Sequence, residues 1–202
     1  MTLDAFRPIA NRTLDPFVRM ATRIGATPDT ISIIAIVCSI LAGFAFWLAG
    51  AEPIWYLIGA VLVFFNGWFD LLDGAVAREQ GIASPAGDLL DHVLDRYADI
   101  VIVVGLAAGI DDYLLGLLAI TGVLMTSYLG TQAIAVGMDR VYGGIVGRAD
   151  RLALIGITGI LVYLFPGTIS GLTLVGWLLV ILAIVGHFTA LQRFYISYRT
   201  LT

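Results

Sequence analysis

Apolar residues dominate six stretches of the chain, approximately 30–50, 54–75, 89–110, 113–135, 151–165 and 171–192, separated by short segments where charge, glycine or proline collect. Runs of this length predict membrane-spanning helices, because about 20 apolar residues cross a hydrocarbon layer of about 30 Å. All but the fifth approach that length; the fifth extends toward Phe165 or lies tilted. Ahead of them, arginines are spread among Leu3, Phe6, Leu14, Phe17, Val18 and Met20, which predicts an amphipathic helix on the membrane surface, broken near Pro8 and Pro16. This start has no uninterrupted apolar core of the kind a cleavable signal peptide needs. The expected fold is therefore all-α and integral to the membrane, a single domain over 1–202. Residues 1–25 form a juxtamembrane segment, and six transmembrane helices form a bundle over 26–202.

Composition narrows the class. With 59% hydrophobic residues and a mean hydropathy of +0.96, the chain cannot cover a core with polar surface, so a soluble domain is excluded. Charge then orients it. All basic residues are arginine, and alternate turns carry Arg7, Arg12, Arg19, Arg23, Arg78, Arg140, Arg148, Arg151, Arg193 and Arg199, whereas the opposite loops offer Glu52, Asp111 and Asp112. The positive-inside rule puts both termini, and the turn between the second and third stretches, in the cytosol of a cell-membrane protein. A net charge of −4 gives no reason to expect a nucleic-acid partner. Cys38 is alone, forms no intrachain disulfide and is expected to pack in the core. Glycines such as Gly43, Gly59, Gly105 and Gly109 let helices approach closely in lipid and permit a homodimer.

Carboxylates crowd one place. Asp70 and Asp73 are three residues apart, and Asp91 and Asp95 four apart, so each pair shares one face of its own helix. The short connection between them predicts antiparallel neighbouring helices whose acidic faces converge. An isolated charge at mid-membrane costs about 2.5–3.5 kcal/mol, so four unpaired acids would cost about 10 kcal/mol. Arg78 and Arg96 supply two charges at most; one or two divalent ions would neutralise the rest. Oxygen ligands without a matching His or Cys set favour Mg²⁺, Mn²⁺ or Ca²⁺ over zinc. Such ions keep positions for substrate phosphate, so a phosphate-containing substrate is expected. Asp88, His92 and Asp99 read as helix-end charges or polar packing partners.

The segment Asp70-x2-Asp73-Gly74-x2-Ala77-Arg78-x8-Gly87-x3-Asp91-x3-Asp95 resembles the signature of the CDP-alcohol phosphotransferase family, agreeing at every fixed position and gap. The resemblance implies six helices and metal-dependent transfer of a lipid phosphate from a CDP-lipid to an alcohol, with release of CMP. Diacyl and archaeal ether lipids are alike compatible. It also implies that Asp70, Asp73, Asp91 and Asp95 hold Mg²⁺ or Mn²⁺, with Asp95 doubling as general base. Gly74, Ala77 and Arg78 would flank the CDP phosphates, with Ser84 in the next loop. Thr27-Pro28-Asp29-Thr30-Ile31-Ser32 resembles a further family element, making Pro28, Asp29 and Ser32 candidate nucleotide contacts; by residue preference alone they simply start a helix.

For the acceptor, Gly147-Arg148-Ala149-Asp150-Arg151 and Leu191-Gln192-Arg193 resemble segments of the phosphatidylinositol-phosphate synthase branch. The resemblance implies that Arg148, Arg151 and Arg193 clamp the phosphate of inositol phosphate, a task suited to the planar guanidinium. The same arginines would equally anchor helix ends. The chain departs from that branch at Gly130 and Gln132, where basic residues are expected; Arg140 is a candidate replacement. Glycerol phosphate is thus an alternative acceptor. Two readings from other classes remain: an ion-coupled transporter lined by the acids, and a structural membrane scaffold.

Overall fold

The computed structural model describes residues 7–138 and 147–202, with side chains from Thr13 onward. Leu3, Phe6 and Arg140 lie outside the described residues, and of Arg7 and Arg12 only the backbone is described. Seven helices follow in order among these residues: α1 (Arg7–Arg23), α2 (Pro28–Leu48), α3 (Ile54–Gln80), α4 (Pro85–Gly109), α5 (Tyr113–Ala135), α6 (Arg148–Leu164) and α7 (Leu174–Leu201). A two-stranded hairpin, β1 (Thr168–Ile169) with β2 (Leu172–Thr173), joins the last two. Its turn uses positive φ at Ser170 and Gly171, at 52° and 84°.

Each of the six apolar stretches forms a helix, the last beginning only at Leu174, after the hairpin. Four of the helices, α2, α3, α5 and α7, are long and apolar enough to cross a membrane by length and composition. The other two differ for visible reasons. Helix α4 has 25 residues, but its first half carries Asp88, Asp91, Asp95, Arg96 and Asp99; α6 has 17 and begins on Arg148, Asp150 and Arg151. Charge interrupts the apolar run where the candidate chemistry sits.

Local signals account for the helix starts. Thr27 caps α2, its hydroxyl accepting from the Thr30 amide at 3.3 Å, with Pro28 next in the first turn. Ser84 does the same for α4 through the Gly87 amide at 3.1 Å, followed by Pro85. Helix α3 ends at Gly81, whose φ of +65° is a left-handed cap that favours glycine.

The break expected near Pro16 is absent: α1 runs unbroken from Arg7 to Arg23 with Pro16 inside it. Packing outweighs the lost backbone hydrogen bond there. Leu14, Val18 and Ala21 are buried with Ile31, Leu72 and Val76, and Phe17 meets the Trp68 ring edge-on at 5.2 Å. One apolar face thus docks on α3, while Met20 and Ile24 stay exposed.

Helix α2 packs on both α3 and α4, α5 on α7 and α4, and α6 on α3 and α7. The main core, around Phe46, Val63, Ile102, Leu106 and Leu179, lies where these helices meet. Helices α3 and α4, expected to be neighbours, bring their acidic side chains together, but their closest backbone packing is on α2. The α2–α4 crossing is close enough that a Cβ on Gly105 would stand 2.6 Å from the Gly43 Cα. That closeness comes from the apolar half of α4, and it leaves the acidic halves of α3 and α4 facing each other across a gap.

Candidate active site and metal centre

Asp70 from α3 and Asp91 and Asp95 from α4 each bring a carboxylate oxygen within 4.8 Å of the others. The expected convergence of two acidic faces therefore occurs, side chain to side chain, with both helices packed on α2. Asp73, the fourth expected ligand, stands outside this group. It is buried and accepts a 2.6 Å hydrogen bond from Ser32 Oγ, which also lies 3.1 Å from the Pro28 carbonyl, within reach of the same single hydrogen. Ser32, Asn66, Asp70, Asp73, Asp91, Asp95 and Arg148 line one cleft.

The remaining nucleotide candidates surround this floor unevenly. Arg78 is exposed and lies back over its own helix, with Nη1 3.3 Å from where a Cβ on Gly74 would stand, so a larger residue at 74 would crowd it. Ala77 is partly covered, one residue before it. Asp29 and Ser84 are exposed at the starts of α2 and α4; Pro28 is partly covered and joined to the site through Ser32.

The three expected acceptor arginines are split. Arg148 enters the carboxylate group, with Nη1 2.7 Å from Asp70 and Nη2 2.8 Å from Asp95. Arg151 is buried and donates to Asp99 at 2.9 Å. Arg193 is buried on α7 and donates to the Thr126 carbonyl of α5 at 2.7 Å. Arg151 and Thr126 share the lining of a second cleft with Thr189, between α5, α6 and α7. The acceptor residues are therefore distributed between the acidic site and this neighbouring region.

Two residues carry more weight than their sequence positions suggested. Asp99, set aside as a packing partner, is a buried acid between Arg151 and Arg96, the latter at 3.8 Å. Its signal was the spacing Asp91, Asp95, Asp99, one file down α4 at four-residue steps. Asn66, buried one turn before Asp70, donates to the Ala35 carbonyl at 3.0 Å and joins α3 to α2 beneath the site. A lone amide in an apolar helix was the available signal.

Oxygen-only donors from three carboxylates, close enough to share one ion, fit a hard divalent cation such as magnesium or manganese. Set on apolar helices long enough to cross a bilayer, such a centre defines a multi-pass membrane enzyme that uses a divalent metal. The chain belongs to the CDP-alcohol phosphatidyltransferase family, whose model matches residues 25–196. It is similar to the archaetidylinositol phosphate synthase of Methanothermobacter thermautotrophicus, 34% identical over 95% of this chain and 91% of that protein. It is also similar to the phosphatidylinositol phosphate synthase of Mycobacterium marinum, 33% identical over 91% of this chain and 79% of that one. The crystal structure of Mycobacterium tuberculosis phosphatidylinositol phosphate synthase with CDP-DAG bound superposes with a TM-score of 0.78 at 28% identity, over 93% of this chain and 94% of that one. The same enzyme with manganese and citrate gives 0.78 at 27%, over 92% and 88%. Family membership makes this chain a phospholipid-synthesising transferase and removes the transporter and scaffold readings of its acids.

Proposed function

We propose that the protein transfers the lipid phosphate of a CDP-activated lipid to inositol phosphate, at the cytosolic face of the cell membrane, with all six apolar stretches crossing the bilayer. The observation that carries this reading is the group Asp70, Asp91 and Asp95, on a chain similar over nine-tenths of its length to archaetidylinositol phosphate and phosphatidylinositol phosphate synthases.

In this reading an acceptor hydroxyl oxygen attacks the lipid-linked phosphorus of the CDP-lipid. The phosphorus–oxygen bond to the cytidylate breaks, CMP leaves, and the hydroxyl proton passes to Asp95. Mg²⁺ or Mn²⁺, one ion or two, would supply positive charge beside the diphosphate when bound. Asp70, Asp91 and Asp95 would hold it, with Asp73 completing the set from beside Ser32. Gly74 and Ala77 leave room for the diphosphate, and Arg78 with the first turn of α2, Pro28, Asp29 and Ser32, fixes the nucleotide. Ser84 adds a contact from the start of α4. Arg148, Arg151 and Arg193 receive the acceptor's phosphate.

A glycerol-phosphate acceptor is the second reading, favoured by Gly130 and Gln132 standing where the inositol-phosphate branch has basic residues. The homodimer expected from the resemblance belongs to the same proposal and is tested by cross-linking in intact membranes.

The deciding experiment measures CMP release by purified protein from CDP-lipid, with inositol phosphate, glycerol phosphate, serine or no acceptor, with Mg²⁺, Mn²⁺ or a chelator. Release that needs a divalent ion and inositol phosphate is expected. Preference for glycerol phosphate would move the acceptor to the second reading, and no release with any acceptor from folded protein would overturn the proposal.

A further inference from the structure

Arg148 stands where the acidic site meets the acceptor segment, and its contacts are unusual for a phosphate clamp. One guanidinium reaches Asp70 on α3 at 2.7 Å and Asp95 on α4 at 2.8 Å. The backbones of these two helices pack mainly on α2, and Arg148 joins their carboxylates at the site. Both carboxylates also belong to the group suited to a divalent ion. A guanidinium lying between these two carboxylates takes up space and charge that an ion shared by them would need.

The bridge is also incomplete. Nε of Arg148 is buried with no hydrogen-bond partner, and a desolvated donor left unmade costs about 1–3 kcal/mol. An oxyanion with two free oxygens, such as a phosphate, would engage Nε together with one Nη in the side-on arrangement arginine favours. Three residues on, the situation is the reverse. Arg151 is held by Asp99 at 2.9 Å with both groups buried, which ties the start of α6 to α4. Arg148 can therefore release its partners while α6 stays in place.

We propose that Arg148 is an internal cation that competes with the divalent ion for Asp70 and Asp95, and that when the ion holds them the freed guanidinium turns to the acceptor's phosphate. This rests on the metal and acceptor roles proposed above. Metal loading and acceptor binding are then coupled through one side chain, and by linkage each raises the affinity for the other by the same factor. The acceptor's phosphate finds its arginine only in a protein whose carboxylates are already engaged.

The test is Mn²⁺ affinity, read from the free-ion electron paramagnetic resonance signal with full-length protein in nanodiscs and Mn²⁺ alone as probe. Arg148→Gln should bind Mn²⁺ at least about fivefold more tightly than wild type, in the range typical of coupled sites. Arg96→Gln removes a nearby charge, 3.4 Å from Asp95, without opening the Asp70–Asp95 bridge, and should show no comparable rise. Inositol phosphate should tighten Mn²⁺ binding to wild type and leave Arg148→Gln unaffected. If Arg148→Gln does not fold, Arg148→Lys decides, because a single ammonium spans the two carboxylates less well and should give a smaller rise. Unchanged or weaker Mn²⁺ binding in the Arg148 variants, or an equal rise in Arg96→Gln, overturns the inference. A wild type that releases no CMP with inositol phosphate overturns the proposed acceptor instead, and the Mn²⁺ measurement still decides the competition.

Discussion

The two halves of α4 are built on opposite principles. From Ile100 to Gly109 the helix is apolar, and its backbone meets α2 so closely at Gly105 and Gly43 that no methyl group fits between them. From Asp88 to Asp99 it is acidic, and it faces α3 across a gap spanned by Arg148. In lipid, the first half gains from close contact of small residues. The second carries charges whose desolvation only opposite charges can offset. The tight half fixes the helix so that the open half can keep its carboxylates gathered for an ion.

The largest expected effect lies in the open half. Asp95→Asn should lower CMP release by about 10²–10⁴-fold, the usual worth of a positioned general base, while the protein elutes as folded from gel filtration. A drop below about tenfold would take the base role from Asp95. Next is the pair that ties α6 to α4 at the boundary of the two halves: Arg151→Ala leaves Asp99 buried with only Arg96 nearby. It should destabilise the protein by about 3 kcal/mol in detergent unfolding, with part recovered in Arg151→Ala/Asp99→Ala. If the double variant is no more stable than the single one, the pair is not what holds α6 to α4.

In the tight half, Gly105→Val should cost about 2 kcal/mol by the same unfolding measurement, since the added atoms meet backbone rather than a side chain that can turn away. Wild-type stability in that variant would mean the crossing is looser than described. The smallest effect is expected at Ser84→Ala, about 1 kcal/mol from the lost helix cap. A rise in KM for the CDP-lipid beyond that would add the nucleotide contact to its capping role.

The chemistry was legible in sequence wherever it depended on spacing along one helix. Asp70 with Asp73, and Asp91 with Asp95, follow from helical periodicity, and the site's oxygen-only character follows from residue types. Contacts across helices were not legible in this way. The convergence of α3 and α4 followed from their short connection, but not that the backbones of both pack mainly on α2. Pro16 marked a break in α1 that burial of Leu14, Val18 and Ala21 closed over. Asp99 read as a helix-end charge or polar packing partner, but spacing could not name its partner, Arg151, which is 52 residues away.

Sequence alone determined that the chain is a helical membrane protein and that its acids call for a divalent cation, because apolar run length and residue spacing are properties of the chain itself. It also carried the signature by which the family is identified. Tertiary structure decided which three carboxylates meet, that Asp73 turns to Ser32, and that Arg148 rather than Arg151 or Arg193 enters the acidic group. Those outcomes depend on how helices lean on one another, and small residues such as Gly43 and Gly105 set that approach through backbone contact, which appears only when the chain is packed.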